Sequence, residues 1–269
     1  MTPLLTYTDL LLGAVLVLIN VALSLMLNLG VGRALFIAAC RAAAQLLLVG
    51  FVLKYVFDSS SPWLMVGVAC VMTTLAAYEV WSRQKTRFAG VWGVGVGAAA
   101  TGIAVVLVMT YTMLAIVNVD PWYTPQLLIP FVGIILGSVM NGVGISLNVF
   151  NTGLIRERAA IEAQLALGAT RREALKPLQS HALRSGFIPI VNQMSAAGVI
   201  TLPGMMTGQI LAGMPPYEAA KYQILVLFLL AGAAGFGALA ATALAVRRAT
   251  DSRDRLRLDR MAPEASSSS

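Results

Sequence analysis

Long apolar windows recur along this chain between short polar or turn-forming breaks, and that alternation restricts the fold more than any single motif. A helix needs about 20 predominantly apolar residues to cross some 30 Å of hydrocarbon. Seven windows reach that length, at 9–29, 34–56, 63–81, 89–117, 126–150, 186–210 and 222–246. The breaks run from Gly30 to Arg33, Asp58 to Pro62, Ser82 to Arg87, Asn118 to Pro125, Arg156 to Ser185 and Gly213 to Lys221. Only 12% of the 269 residues are charged and the mean hydropathy is +0.80, whereas a water-soluble domain carries roughly a quarter charged residues. The expected fold is all-α, a polytopic transmembrane helical bundle of seven spans. Its 24 glycines suit helices that approach closely in lipid.

Lys and Arg set the expected orientation, because cytoplasmic loops hold their excess. With the N-terminus outside, the inner segments collect Arg33, then Arg83, Lys85 and Arg87, then six basic residues from Arg156 to Arg184, and six arginines from Arg247 to Arg260. That is 16 of the 19 basic residues, so the topology reads N-out, C-in. The net charge of +7 then reflects topology and attraction to anionic membrane lipid, with no call for nucleic acid. Trp63, Trp81, Trp122 and Tyr123 fall near window ends, as interfacial aromatic belts do. The first window lacks a basic segment before it and reads as a retained span of a multi-pass cell-membrane protein. Cys40 and Cys70 lie in apolar runs and read as reduced thiols. Residues 1–248 form the expected membrane domain, and 249–269, without apolar periodicity, a disordered cytoplasmic tail.

One loop is long enough for a task of its own. The segment 156–185 reads as a helical hairpin: Arg158 and Glu162 pair one turn apart, and Gly168 suits the left-handed position that ends a helix. Thr170 and Glu173 form a capping-box pattern that starts a second helix, which Pro177 should kink or end. Such a hairpin is either a membrane-surface connector or a coupling helix that docks on a cytosolic ATPase. In the second case Glu162, Ala163, Gly168, Thr170, Arg171 and Glu173 are the coupling residues. No lysine ends a Gly-rich Gly-Lys-Ser/Thr turn, so a phosphate-binding loop is missing from the sequence. ATP and magnesium would then sit on the partner subunit and no cofactor on this chain.

Polar groups at membrane depth are expensive and tend to mark pathways. Arg41 and Gln45, one turn apart, and Glu79 are each readable as part of an internal gate, or as snorkelling and pairing residues. Asn141 and Asn148 lie seven apart on one helix face, and Asn192 and Gln193 precede a run in which Pro203 and Gly204 interrupt the sixth window. Thr207 and Gln209 follow that break. These groups either bond helix to helix or supply oxygen to a cation in a translocation path. Carboxylate clusters and His pairs are missing, so no metal site is assigned.

Glu162, Ala163 and Gly168 resemble the coupling loop of ABC-importer permeases, with Gln164 where a second alanine stands. The stretches LALGAT at 165–170, LPGMMTGQILAG at 202–213 and EAAKYQI at 218–224 resemble the FetB/YbbM family, which includes the plant aluminium-sensitivity permeases. The resemblance implies a permease subunit of an ABC transporter, of the iron-export type, paired with a separate cytosolic ATPase. The accompanying expectation is a homodimer of permease subunits. A stand-alone channel or secondary transporter, and a non-transporting membrane anchor or signal transmitter, are the alternatives.

Overall fold

A computed structural model describes residues 6–58, 61–116, 124–251 and 253–262. Most of the described residues are helical, and isolated β-bridges stand in place of strands among them. The helices are α1 (Tyr7–Met26), α2 (Gly32–Phe57), α3 (Pro62–Ser82), α4 (Val91–Tyr111), α5 (Pro125–Arg156), α6 (Arg158–Ala166), α7 (Arg171–Ala196), α8 (Gly204–Leu211) and α9 (Pro216–Ala249). A π turn, Thr112–Ile116, extends α4, and a 3-10 turn, Leu258–Arg260, follows α9. Pro62, Pro125 and Pro216 each open a helix, where a missing N–H costs nothing and a fixed φ is already helical.

Among the described residues six helices are long and apolar enough to cross a membrane: Thr8–Met26, Gly32–Phe57, Pro62–Ser82, Val91–Ala115, Pro125–Arg156 and Pro216–Ala249. The expected seventh, over 186–210, is not one helix. α7 stops at Ala196, whose carbonyl accepts the N–H groups of both Ile200 and Thr201. Gly198 takes φ +84° in that turn, and Pro203, which has no N–H to continue a helix, leads into α8. Pro177 does not end the second hairpin helix either. α7 passes through both Pro177 and Pro189, held by Leu175, Leu178 and Ile190, which are buried.

The chain divides into two compact units, one reaching to residue 60 and the other from 61 onward. In the first, α1 and α2 pack as an antiparallel hairpin around a turn in which Asn28 and Gly30 both have positive φ. In the second, α5 is the hub, packed by α3, α4, α7 and α9. Its buried stripe of Val132, Ile135, Val139, Val143, Leu147, Phe150 and Leu154 repeats every three or four residues. α9 meets it with small side chains, among them Ala234, Ala238, Ala241 and Ala245, all buried. A side chain added at Gly186 of α7 would run into Ser146 Oγ and lie 2.8 Å from the Gly142 carbonyl of α5. Small residues bring these helices to backbone contact, as membrane packing favours.

The end of this unit that carries the hairpin is knitted by the segment after α9. Residues 87–89 exchange backbone hydrogen bonds with 260–262: Ala89 N–H to Arg260 O, and Ala262 N–H to Arg87 O, both 2.8 Å. Phe88 and Met261 face each other there and are buried. Residues 260–262, within the segment expected as a tail, are thus backbone-paired to the α3–α4 loop. Residues 263–269 lie outside the described residues, as do Trp122 and Tyr123 of the expected aromatic belt.

Candidate functional site

Two features stand out in the second unit: a polar cavity within the bundle and the hairpin at its end, joined by one helix. The cavity, about 220 Å³, is walled by α5, α7 and α9. Asn141 and Gln193 line it together, with Ser138, Pro189 and the glycines Gly137, Gly142 and Gly186. Ser138 spends its hydroxyl on the Leu230 carbonyl at 3.2 Å. Pro189 has no N–H to offer the carbonyl one turn earlier on α7. The walls thus present two carboxamides among small residues and the apolar side chains of Ile134, Ile190 and Leu230. Among the described residues no group of three or more His, Cys, Asp or Glu could hold a metal ion.

The other residues proposed for a path scatter. Asn148, one heptad beyond Asn141 on α5, is committed elsewhere: its Oδ1 accepts the Lys85 N–H at 3.1 Å. Glu79 pairs with Arg83 one turn on, at 2.9 Å. Asn192 is exposed on α7 next to Gln193 but does not line the cavity. Arg41 and Gln45 lie on α2, in the first unit, both exposed. Pro203 caps the N-terminus of α8 and accepts the Thr207 hydroxyl at 3.2 Å, with Gly204 as the first helical residue. Gln209 Oε1 is buried on α8 without a donor among the described residues. None of these four residues reaches the cavity.

Asn151, not recognised from sequence, is the best buried amide. It is wholly inaccessible and donates to Gln84 Oε1 at 3.2 Å and to the Thr86 carbonyl at 3.1 Å. With Asn148 it clamps the α3–α4 loop onto α5. The i, i+3 spacing of the two asparagines was the available signal.

The hairpin forms from local chemistry. α6 ends in a turn where Gly168 takes φ +94°, and Thr170 caps α7. The Glu173 carboxylate accepts from both the Thr170 N–H, 2.9 Å, and its hydroxyl, 2.8 Å, while the Thr170 hydroxyl accepts the Glu173 N–H. These bonds to Thr170 hold the Glu173 carboxyl below its ordinary range. Ile161 anchors α6 and is buried. Glu162, Ala163 and Gly168 are exposed, as is Leu167 at 88%. Arg171 ties the start of α7 to the segment after α9, lying 3.5 Å from both Asp254 Oδ1 and the Asp251 carbonyl.

Comparison with known proteins adds the lineage. Residues 7–250 match the uncharacterised protein family UPF0014. The chain is 33% identical over 258 residues to the Escherichia coli (strain K12) protein named probable iron export permease protein FetB, covering 93% of this chain and 95% of that one. It is 35% identical over 215 residues to the UPF0014 membrane protein slr1647 of Synechocystis, covering 78% and 81%. It is 30% identical over 230 residues to Protein ALUMINUM SENSITIVE 3 of Arabidopsis thaliana, covering 86% and 82%. No solved structure matches significantly. With its apolar helices and this extent of similarity, the chain is a multi-pass membrane protein and belongs to the UPF0014 family.

Proposed function

We propose that this chain is the membrane-spanning permease subunit of an ABC transporter that exports a metal ion, iron by analogy with its relative, and is driven by a separate cytosolic ATPase. One observation carries the reading: α7 is a single helix that begins at the capped hairpin and reaches the cavity at Gln193. From Arg171 to Gln193 it spans about 33 Å at 1.5 Å per residue. A push on α6 therefore arrives at Gln193 along a stiff rod. The exposed Glu162, Ala163, Leu167 and Gly168 are what a docked ATPase would meet.

The packing supports seven crossings on this reading. Arg171 sits beside the residues that follow α9, whereas α9 itself starts about 50 Å away along its own axis. On this reading the chain between crosses once, as α7, the 197–203 break and α8. Broken helices at membrane depth are tolerated where they are buried in protein or line a cavity. With the six continuous helices this makes seven, N-out and C-in by the distribution of Lys and Arg. Asn141, Asn192 and Gln193 are exposed on the single chain, which supports a homodimer with the path at its centre. The neutral oxygens of Asn141 and Gln193 suit a hydrated cation better than a tightly stripped one.

The docking claim is tested with Glu162→Arg and Gly168→Val, measuring ATPase copurification and ATP turnover in reconstituted membranes. Loss of both, with the fold intact, is expected. Unchanged copurification and turnover in both variants would leave the stand-alone channel as the better reading. Asn141→Leu with Gln193→Leu should abolish metal efflux while ATPase binding persists.

A further inference from the structure

Arg248 is one residue short of the end of α9, and Trp92 is the second residue of α4. Both positions are terminal turns of membrane-length helices, at the end of the bundle that holds the hairpin. The Arg248 guanidinium lies over the Trp92 ring, 5.0 Å from its centroid, and Trp92 is 57% exposed. Stacking on an indole face leaves the edge of a guanidinium, where its N–H groups point, available for hydrogen bonds. One of those donors, Nε, is buried and has no acceptor among the described residues. A buried donor left without a partner is disfavoured, and a charged one more so.

The neighbouring charges do not relieve it. Arg260 lies close enough to repel Arg248, and its Nη1 is turned back onto the Arg248 and Thr250 carbonyls at 3.0 and 3.3 Å. Asp259, the carboxylate that attracts Arg248, is already held at both oxygens by Arg257, at 2.8 Å each. The result is two neighbouring arginines where membrane-length helices end, one with an unmatched donor, beside an exposed tryptophan.

We propose that the corner made by Arg248, Arg260 and Trp92 binds the phosphate oxygens of an anionic glycerophospholipid headgroup. A phosphate offers the fork-matching oxygens that the stacked guanidinium lacks, and a lipid brings it to this depth. The acyl chains would run up the exposed flank of Trp92. This site is independent of the transport reading and needs neither an ATPase nor a cargo.

Native mass spectrometry of the purified full-length protein, incubated with phosphatidylglycerol or phosphatidylcholine, tests it. Wild type should retain phosphatidylglycerol in preference to phosphatidylcholine. Arg248→Gln should lower that retention about fivefold or more, the scale of one lost charge-assisted contact. Arg247→Gln, at the exposed neighbour, should lower it less than about twofold. Arg248→Lys keeps the charge but loses the fork, and should fall between; it carries the test if Arg248→Gln does not fold. Equal losses for Arg247→Gln and Arg248→Gln would mean a diffuse basic belt and overturn the site. Retention that free inorganic phosphate displaces as readily as added phosphatidylglycerol would assign the corner to a soluble phosphate and overturn the lipid. An absence of any preference for phosphatidylglycerol would overturn it outright.

Discussion

Gly186→Ala offers the sharpest test of how α5 and α7 are held. The added methyl would sit on Ser146 Oγ and 2.8 Å from the Gly142 carbonyl, where ordinary contact begins near 3.4 Å. Ser146 can change rotamer, but a backbone carbonyl inside α5 cannot, so the two helices must part locally by about 0.6 Å. A gap of that size forfeits roughly a quarter to a half of each dispersion contact across the seam, each worth about 0.1–0.2 kcal/mol. Over the several tens of atom pairs that Leu178, Ala182 and Ile190 make there, the loss comes to about 1.5–3 kcal/mol, in line with overpacking elsewhere. Reversible unfolding in mixed detergent and SDS micelles reads this directly. Gly137→Ala is the control, since it lines the same cavity and a methyl there meets nothing within 4 Å. It should cost less than about 0.5 kcal/mol, or stabilise through helix propensity. Equal behaviour of the two variants would refute the close backbone approach as the organising contact of the bundle.

Two further predictions concern the hairpin end. Asn151→Ala removes the donor to two buried acceptors, Gln84 Oε1 and the Thr86 carbonyl, and should cost about 2–3 kcal/mol and expose the 83–90 loop to protease; an uncut loop would refute the clamp. Asp259 titrates at about 2 because Arg257 donates to it, below the usual value near 4. A depressed carboxyl contributes stability above its unfolded pKa that is lost as pH falls through the folded one. Protection of the 253–262 amides, taken relative to their intrinsic exchange rates, should therefore fall between about pH 4 and pH 2 in wild type, with Asp259→Asn already less protected at pH 5.

Much of this architecture was readable before any coordinates, and the misses have physical causes. Gly168, Thr170 and Glu173 act through bonds spanning three residues, so their spacing alone specifies the hairpin turn. Pro62, Pro125 and Pro216 mark helix starts for an equally local reason. The 186–210 window failed because hydropathy counts apolar residues and is blind to φ: Val199, Ile200 and Leu202 are as apolar as any span, yet Gly198 turns the backbone. Asn141 and Asn148 do share a helix face, but seven residues put them about 10 Å apart along the axis, opposite different neighbours. One lines the cavity and the other holds the Lys85 N–H. The pairing of residues 260–262 with 87–89 escaped notice because backbone pairing leaves no periodic trace in side chains.

That pairing also has a consequence for biogenesis. About 170 residues separate Phe88 from Met261, so the clasp between them cannot close while the intervening chain is still being made. At about 5–20 residues per second, the α3–α4 loop waits roughly 10–35 s after its own synthesis for its partner to emerge. Through that interval Phe88 is uncovered, and insertion of the helices precedes completion of the surface on which the hairpin rests. Closure of 260–262 onto 87–89 is thus open only to a chain made at least as far as Ala262, and one that stops short of it or is misinserted leaves Phe88 uncovered.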